Sequence, residues 1–455
     1  MSDAQTETTT YSLKRTLRLS SFQIGSAMGD ILVTSIWNRV MISNFGIPAA
    51  PVSLLIALRY LLSPLGLWAG HLSDTRRFRG LRRTPYIWLG RGMMVLSLPL
   101  LGLSLGRLGI AQTDVLGWVL ATASSLLYGL GTLLSGSPFL ALVRDSAPRE
   151  KQGFAISVAE TVLIIFFALV GVGFSLWMRV YDQRVFWEMV VATMLVGGFF
   201  WFFAIVGVER HEHGEAAAPR RAVDFKGTLR RIWADGRTRR FFFFLALATL
   251  SAWAQDAILE PFGAELFKLP VERTTRLNSY WQGATVITLV AGAYFWRRRP
   301  PEKQDSIAFG GLLAMAGGMA LLSTAAFTRQ VHLIELALLL FGGGFGVYTF
   351  GGVSLMAVMS TDKEAGAYLG LWSVSILVFK GLGTFMGGLL RDGFLLQLAL
   401  SPAAGYGAIF VLEAAGLIGA ALIVAHLDVE GFARDVGRNV GQMVSRTEAQ
   451  IANAD

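Results

Sequence analysis

The sequence predicts an all-α, polytopic membrane protein with about twelve spanning helices. Of its 455 residues, 53% are apolar and 16% are charged, whereas a soluble protein carries about a quarter charged residues. Apolar runs near twenty residues long recur between residues 20 and 425, which is the length that crosses a hydrocarbon layer of about 30 Å. The sequence lacks the ten-residue alternation of barrel strands. Helices are therefore predicted to satisfy the backbone polar groups in lipid.

The apolar runs define the span boundaries and the organisation of the chain. The spans are predicted near residues 20–42, 51–73, 85–106, 115–142, 153–178, 185–207, 241–262, 277–296, 306–327, 332–357, 366–390 and 403–426. The first run is long enough to span, so it predicts a helix and not a cleaved signal peptide. Five segments follow: a tail (1–19), a first six-helix half (20–207), a basic linker (208–240), a second six-helix half (241–426) and a second tail (427–455).

The distribution of basic residues predicts the orientation. Of the 40 Lys and Arg residues, 28 lie in the two tails and in the loops on their side, and 8 lie in the opposite loops. This asymmetry predicts that both termini are cytoplasmic. The net charge of +9 is therefore interpreted as a topology signal, and nucleic-acid binding is not expected. The basic linker could also lie against anionic lipid headgroups.

Weak self-similarity relates the two halves. A shift of 213 residues brings Gly129 onto Gly342 and Gly131 onto Gly344. Helix four therefore resembles helix ten. Two parallel six-helix halves around a central loop are the arrangement of the major facilitator superfamily. The predicted fold is a major facilitator-like bundle of twelve helices.

The loop between helices two and three resembles the facilitator signature of a glycine, a following aspartate and a basic cluster after a short turn. Such a loop works as a cytoplasmic latch, because the acid accepts hydrogen bonds from the start of a helix and the arginines pair with nearby acids. Asp145 and Glu150 in the next inside loop are candidate acids. The predicted latch residues are Ser73, Asp74, Arg76, Arg82, Arg83 and Asp145.

Ionisable residues inside the spans are candidate functional residues, because burying them in a membrane is costly. Asp256 and Glu260 are four residues apart, which predicts one shared helix face and repulsion unless a proton or a cation intervenes. The alternative is that these residues form internal pairs that hold the bundle together. The predicted intramembrane polar residues are Asp30, Arg59, Glu160, Asp256, Glu260 and Lys380.

Cysteine, histidine and motif content argue against an enzyme. There is no cysteine, and none of the five histidines lies in the middle of a predicted span. No nucleotide-binding glycine loop, HExxH motif or nucleophile elbow is present. We therefore expect no catalytic residues and no metal cofactor. The scarcity of buried imidazole also argues against stable binding of many chlorins.

Glycines at four-residue spacing predict close helix packing. Examples are the pairs Gly102/Gly106 and Gly383/Gly387. The glycine-rich run 341–346 could also offer a flat surface to a large ring system.

Three segments in residues 17–90 carry a family resemblance. They are residues 38–42 (Asn-Arg-Val-Met-Ile) before a proline-containing turn, residues 71–75 (His-Leu-Ser-Asp-Thr) and residues 83–88 (Arg-Thr-Pro-Tyr-Ile-Trp). Together they resemble the bacteriochlorophyll delivery family, the facilitator-related group of light-harvesting complex assembly proteins of the PucC and LhaA type. Asp30 departs from this resemblance, since a small or apolar residue is expected there.

The resemblance implies a non-enzymatic factor that delivers (bacterio)chlorophyll to antenna polypeptides or chaperones them. Pigment would be bound transiently. Antenna polypeptides and membrane lipids are the implied partners, with the reaction-centre core and pigment-synthesis enzymes as further candidates. Arg39 is expected to pair with a chlorin oxygen or with Glu260. The candidate ligand-binding residues are Trp37, Asn38, Arg39, Phe345 and Trp372, and Phe166 and Phe167 are further groove candidates.

Two other functions fit the sequence. A proton-coupled solute transporter would place Asp30, Glu160, Asp256 and Lys380 around a polar cavity. A pigment-free scaffold for antenna subunits would need no ligand site.

Overall fold

The computed structural model describes residues 12–66, 69, 73, 78, 80–148, 151–209, 230, 233–296, 305–359, 365–429 and 431–432. Helical segments in this part of the chain fall into twelve regions, and no β-strand occurs there. The first six regions are α1 (Leu13–Ser20, Phe22–Asp30, Ile31–Trp37, Val40–Asn44), α2 (Ala49–Leu61), α3 (Thr84–Ile110), α4 (Val115–Asp145), α5 (Gln152–Trp177) and α6 (Gln183–Ala192, Thr193–Gly197, Gly198–Phe203). The second six are α7 (Gly236–Trp253, Ala254–Ala257, Leu259–Phe267), α8 (Val271–Phe295), α9 (Asp305–Thr328), α10 (His332–Val358), α11 (Ala365–Asp392, Gly393–Gln397) and α12 (Pro402–Ala425). The predicted all-α fold is confirmed.

The helices have the length and composition of membrane spans. Among the described residues, 9 helices are long and apolar enough to cross a bilayer, and the bent α7 raises that number to 10. The other two regions are α1, which is interrupted, and α8, whose first turns are polar. The chain is a multi-pass membrane protein.

Region α1 begins earlier than predicted and is not a uniform α-helix. It starts at Leu13, seven residues before the predicted position 20, because Ser12 caps it by accepting a hydrogen bond from the Arg15 backbone N–H at 3.4 Å. Its second half contains two π-helical segments, Ile31–Trp37 and Val40–Asn44. Such widened turns often occur at functional sites.

Region α2 is interrupted within the predicted span 51–73. The α-helix ends at Leu61, the chain turns at Leu62 and Ser63, and residues 64–66 are helical again, so that one membrane-length span runs over Ala49–Gly66. Pro64 accounts for this end, because proline disfavours the helical conformation of the residue before it and cannot donate a backbone hydrogen bond.

Region α7 bends by 44° between its two α-helical parts. The bend follows a 3₁₀ segment, Ala254–Ala257, and Pro261 lies in the first turn of the next helix. Proline cannot donate to the carbonyl four residues earlier, so the α-helical ladder is interrupted there. The prediction that Asp256 and Glu260 lie one α-helical turn apart on one face is wrong for this reason.

The chain divides into two compact units, whose boundaries differ from the sequence halves. Unit 1 contains residues 1–48, 58–219 and 269–279, and unit 2 contains residues 49–57, 220–268 and 280–455. The first turns of α2 therefore pack within unit 2, and the first turns of α8 pack within unit 1. Most of the predicted basic linker lies outside the described residues.

Close helix approach at glycines holds each unit together. In unit 1, a Cβ atom at Gly90 of α3 would lie 2.5 Å from the carbonyl oxygen of Gly131 in α4. In unit 2, a Cβ atom at Gly387 of α11 would collide with the backbone carbonyl of Ala254 in α7. Small residues let helix backbones touch, so van der Waals packing can replace the hydrophobic effect that is missing between helices in lipid.

This packing predicts that Gly387→Leu destabilises the protein, whereas Gly393→Leu on α11 does not. The Gly387 position faces backbone, which cannot move aside as a flexible side chain can, and no atom lies within 4 Å of a Cβ at Gly393. We expect Gly387→Leu to lower the free energy of unfolding by about 1–3 kcal/mol or more. Thermal unfolding in detergent measures it, and equal melting temperatures for the two variants would contradict the packing.

Candidate functional site

The segment Trp37–Asn38–Arg39 begins with the last residue of the first π-helical segment of α1 and leads to the second. Trp37 and Asn38 are fully buried, and Arg39 is 6% exposed. The Arg39 guanidinium donates from Nη1 to Asn44 Oδ1 at 2.5 Å and from Nη2 to the Leu269 carbonyl at 3.3 Å. The segment thus ties the end of α1 to the start of α8 within unit 1. Its role in ligand binding stays a prediction.

The other predicted aromatic residues differ in accessibility. Trp372 is fully buried in unit 2, where its ring packs edge-on against Phe241 at 4.9 Å. Phe345 is partly exposed and packs edge-on against Trp253 and Trp281, with ring centroids 5.8 Å apart in both pairs. Phe166 and Phe167 are both partly exposed on α5. A contact of these residues with a ligand also stays a prediction.

Asp30 and Arg59 form the centre of a charged cluster in unit 1. Arg59 Nη1 lies 2.5 Å from Asp30 Oδ1, and the Tyr128 hydroxyl donates to the same oxygen at 2.8 Å. The Arg59 side chain is 10% exposed and that of Asp30 is 24% exposed. This acid in α1, where the family resemblance predicts a small or apolar residue, is thus neutralised by its neighbours.

Nearby, Arg91 is buried against aromatic rings. Its guanidinium carbon lies 4.3 Å from the ring centroid of Phe22 and 5.0 Å from that of Trp201. Cation–π contacts of this kind stabilise a desolvated guanidinium.

The remaining intramembrane polar residues are spread over several sites. Asp256 accepts a hydrogen bond from the Thr384 hydroxyl at 3.5 Å, and Lys380 Nζ lies 3.3 Å from the ring centroid of Trp253. Glu260 is 1% exposed, although its place near the outer end of the predicted span suggested contact with water. Glu160 is partly exposed on α5.

The latch loop is partly described. Arg83 Nη2 lies 2.7 Å from Asp145 Oδ2. This ion pair joins the start of α3 to the end of α4. Ser73 is buried, while Asp74, Arg76 and Glu150 lie outside the described residues. The functional role of this loop stays a prediction.

Glu209, which the sequence reasoning missed, accepts hydrogen bonds from the start of α3. Its carboxylate receives the backbone N–H groups of Arg82 at 2.6 Å, Arg83 at 2.9 Å and Thr84 at 2.7 Å. Burial raises the pKa of Glu209, but these hydrogen bonds outweigh it and hold the pKa below its ordinary value of 4.5. The available sequence signal was an acidic residue that follows the sixth apolar run directly.

In unit 2, Asp392 likewise accepts hydrogen bonds from the start of a helix. Its oxygens accept the backbone N–H groups of Ala49 at 2.9 Å and Ala50 at 2.7 Å, at the start of α2. Arg391 donates to Asp392 at 2.8 Å and contacts Glu265 at 2.5 Å. This buried network positions the first turns of α2 on unit 2 and was also missed from the sequence.

A groove of about 560 Å³ opens on unit 1 where the ends of α1 and α3 meet the start of α6. It is lined by Phe45, Gly102, Leu103, Gly106, Arg107, Gly109, Ile110, Tyr181, Gln183 and Trp187. The sequence predicts aromatic grooves, but the aromatic residues predicted to line them are not the ones found in this groove. Among the described residues, no cluster of three or more His, Cys, Asp or Glu side chains could hold a metal ion.

A protein-family model matches most of the chain and shows the family to which it belongs. The PUCC protein family model matches residues 36–432. The chain belongs to the PUCC protein family. This match covers the second π-helical segment of α1, most of both units and all the residues that line the groove.

Curated relatives span nearly the whole chain. Protein PucC of Cereibacter sphaeroides is 29% identical over 430 residues, covering 91% of this chain and 92% of that protein. Protein PucC of Rhodovulum sulfidophilum is 27% identical over 399 residues, covering 84% and 85%. The bacteriochlorophyll synthase 44.5 kDa chain of Rhodobacter capsulatus is 26% identical over 420 residues, covering 89% and 93%.

Solved structures with the same fold are major facilitator transporters. The nucleoside transporter NupG superimposes with a TM-score of 0.64 at 12% identity, covering 91% of this chain and 99% of that one. A D-xylose–proton symporter gives a TM-score of 0.62 at 15% identity, covering 89% and 97%. These likenesses confirm the predicted major facilitator-like fold and concern the fold alone.

The Glu209 contacts predict a pH-dependent contribution to stability. We expect Glu209→Gln to lower the free energy of unfolding by roughly 1 kcal/mol at pH 7, because the charged acceptor of the helix start is lost. Since the folded pKa is depressed, the difference from the wild type is complete above about pH 4.5 and disappears as the pH falls through the folded pKa. Thermal unfolding between pH 3.5 and 7.5 measures it. A pH-independent difference would contradict this account.

The Asp392 contacts predict a larger and more local effect. Asp392→Ala removes both acceptors at the start of α2 and one partner of buried Arg391, so we expect a loss of about 2–4 kcal/mol. Hydrogen exchange in residues 49–57 should rise more than in α9. Asp305→Ala, at the exposed start of α9, is the control. Uniform exchange across the chain would contradict the assignment.

Proposed function

We propose that the chain is an assembly factor for bacterial light-harvesting complexes, which delivers (bacterio)chlorophyll to antenna polypeptides or chaperones them in the membrane. The family match over residues 36–432 carries this proposal. Two curated relatives are named PucC, and another is named as a bacteriochlorophyll synthase chain. We assign the protein no catalytic step of its own.

The proposed setting is the bacterial inner membrane, cytoplasmic or intracytoplasmic, with both termini in the cytoplasm. The excess of Lys and Arg in the tails and in the loops on their side supports this orientation. The proposed partners are single-span antenna polypeptides, with the reaction-centre core and pigment-synthesis enzymes as further candidates. Lipid-exposed apolar side chains on the outer helices, such as Leu96, Leu169 and Leu313, are compatible with lateral contact between helices.

Within this proposal, Arg39 is a positioning residue. Its contacts with Asn44 and the Leu269 carbonyl hold the outer end of α1, and the same turn leads to Phe45 in the groove wall. The partly exposed cluster of Phe345, Trp253 and Trp281 in unit 2 is a second place where a planar ring could stack.

One observation favours a second candidate function, proton-coupled solute transport. The carboxylate of Asp30 is partly exposed beside Arg59 and Tyr128. A cluster of this kind can couple the binding of a ligand to a change in the charge of the cluster. The pigment-free scaffold is the third candidate and differs from the first only in pigment binding.

Gene deletion in a phototrophic host tests the assembly role. We expect membranes of the deletion strain to lose most antenna absorption and a plasmid copy of the gene to restore it. Arg39→Lys, which keeps the charge but loses the guanidinium fork, should restore it partly. Unchanged antenna absorption after deletion would overturn the proposal. Solute uptake coupled to a pH gradient would then favour the transporter.

Purification separates delivery from scaffolding. Protein isolated from the host in mild detergent should carry bacteriochlorophyll in a repeatable ratio and co-purify with antenna polypeptides. Antenna polypeptides without pigment would favour the scaffold.

A further inference from the structure

We propose that the groove on unit 1 is the binding site for the macrocycle of the delivered pigment, held by aromatic walls, a glycine floor and the side-chain amide of Gln183. This inference rests on the proposed function, because it names the place where the pigment ring lies. The groove is defined by its lining residues, which belong to the ends of α1 and α3, the chain between α5 and α6, and the first turns of α6.

The floor of the groove is a stripe of α3 without side chains. Gly102, Gly106 and Gly109 are spaced by four and three residues, so they share one helix face. The Trp187 ring lies 2.8 Å from the Cβ position of Gly102, and the Phe45 ring lies 2.7 Å from that of Gly109. Aromatic rings therefore rest directly on the helix backbone at both ends of the stripe. The Cβ position of the central Gly106 faces the Gln183 side chain, with Nε2 at 3.4 Å and Cδ at 4.0 Å.

The walls suit a flat, conjugated ligand. Phe45 and Tyr181 pack edge-on with ring centroids 5.5 Å apart, and Trp187 forms part of the opposite side on α6. Rings prefer offset or edge-to-face contacts with other π-systems. Leu103 and Ile110 are exposed at the rim, at 47% and 91%, so the groove has an apolar entrance. Its volume lies in the range of small-molecule sites, about 300–1,000 Å³.

Gln183 supplies a donor that the protein leaves without an acceptor. The Tyr181 hydroxyl donates to Gln183 Oε1, which fixes the orientation of the amide. Burial and the neighbouring Asp182 raise the pKa of Tyr181 to about 12, so the hydroxyl keeps its proton at physiological pH. Gln183 Nε2 is buried and has no hydrogen-bond partner among the described residues. Because Nε2 is buried against Gly106, a ring carbonyl in the groove would accept from it after the Gln183 side chain rotates.

The charges around the groove favour a neutral ligand over an anionic one. Arg107 is the charged residue among those that line it, and its Nε lies 2.5 Å from Asp114 Oδ2. Arg184 lies 3.3 Å from Glu188 one turn further on. With both arginines paired, a phosphate group gains no unpaired cation here. An esterified chlorin with ring ketones is neutral at its periphery and matches this environment.

Pigment titration of the purified full-length protein tests the site. Bacteriochlorophyll a, added in detergent, should quench tryptophan fluorescence and acquire induced circular dichroism. We expect Gly106→Leu, which fills the floor, to weaken binding by about tenfold or more, equivalent to at least 1.4 kcal/mol. Gln183→Leu should weaken it by a smaller factor of about threefold to tenfold. Gly92→Leu is the matched control, since it lies on the same helix and nothing surrounds its Cβ position within 4 Å.

Each outcome bears on the site. Wild-type affinity in Gly106→Leu would overturn it, and so would a loss of co-purified phospholipid in that variant with pigment binding unchanged, which would identify a lipid site. If Gly106→Leu does not fold, Leu103→Trp at the exposed rim replaces it, with the same expectation. If only the groove is wrong, the variants bind pigment normally and restore antenna assembly in the deletion strain. If pigment delivery is wrong, the wild type itself binds no pigment, which overturns the site as well.

Discussion

Carboxylates at helix starts are the interaction on which this structure depends. Every helix leaves backbone N–H groups at its start without partners inside the helix, so these groups need acceptors from elsewhere. In this chain Asp392 serves α2, Glu209 serves α3, Asp114 serves α4, Asp182 serves α6 and Asp235 serves α7. The negative charge also complements the positive end of the helix dipole. These are five of the 31 acidic residues of the chain.

Two of these carboxylates come from distant parts of the chain and therefore set tertiary structure. Glu209, at the end of α6, binds the start of α3 across 125 to 127 positions of sequence. Asp392, at the end of α11, binds the start of α2 across more than 340 positions. Arg15 and Arg18 complement this by donating to carbonyls at the end of α6, those of Val208 and Phe203. Helix ends, together with helix faces, fix which segments belong to each unit.

The pairing of nearby charged residues also explains the composition of the groove. Acids and arginines near it are occupied with one another or with helix starts, so its surface is left with rings, glycine backbone and one amide. A site of this composition offers stacking and a single directed hydrogen bond, which suits transient binding of a flat apolar molecule. No imidazole is among the residues that line the groove.

The sequence by itself determined the membrane class, the approximate spans and the family resemblance, because length, hydropathy and short motifs are local or additive properties. It also pointed to the Arg83–Asp145 region and to glycine packing. It could not show that α7 bends before Pro261, that Trp37 is buried, or that Glu209 and Asp392 bind distant helix starts. It also did not single out Phe45, Tyr181, Gln183 and Trp187 as neighbours. Those facts depend on residues far apart in sequence meeting at helix ends, and only tertiary packing decides which donor meets which acceptor.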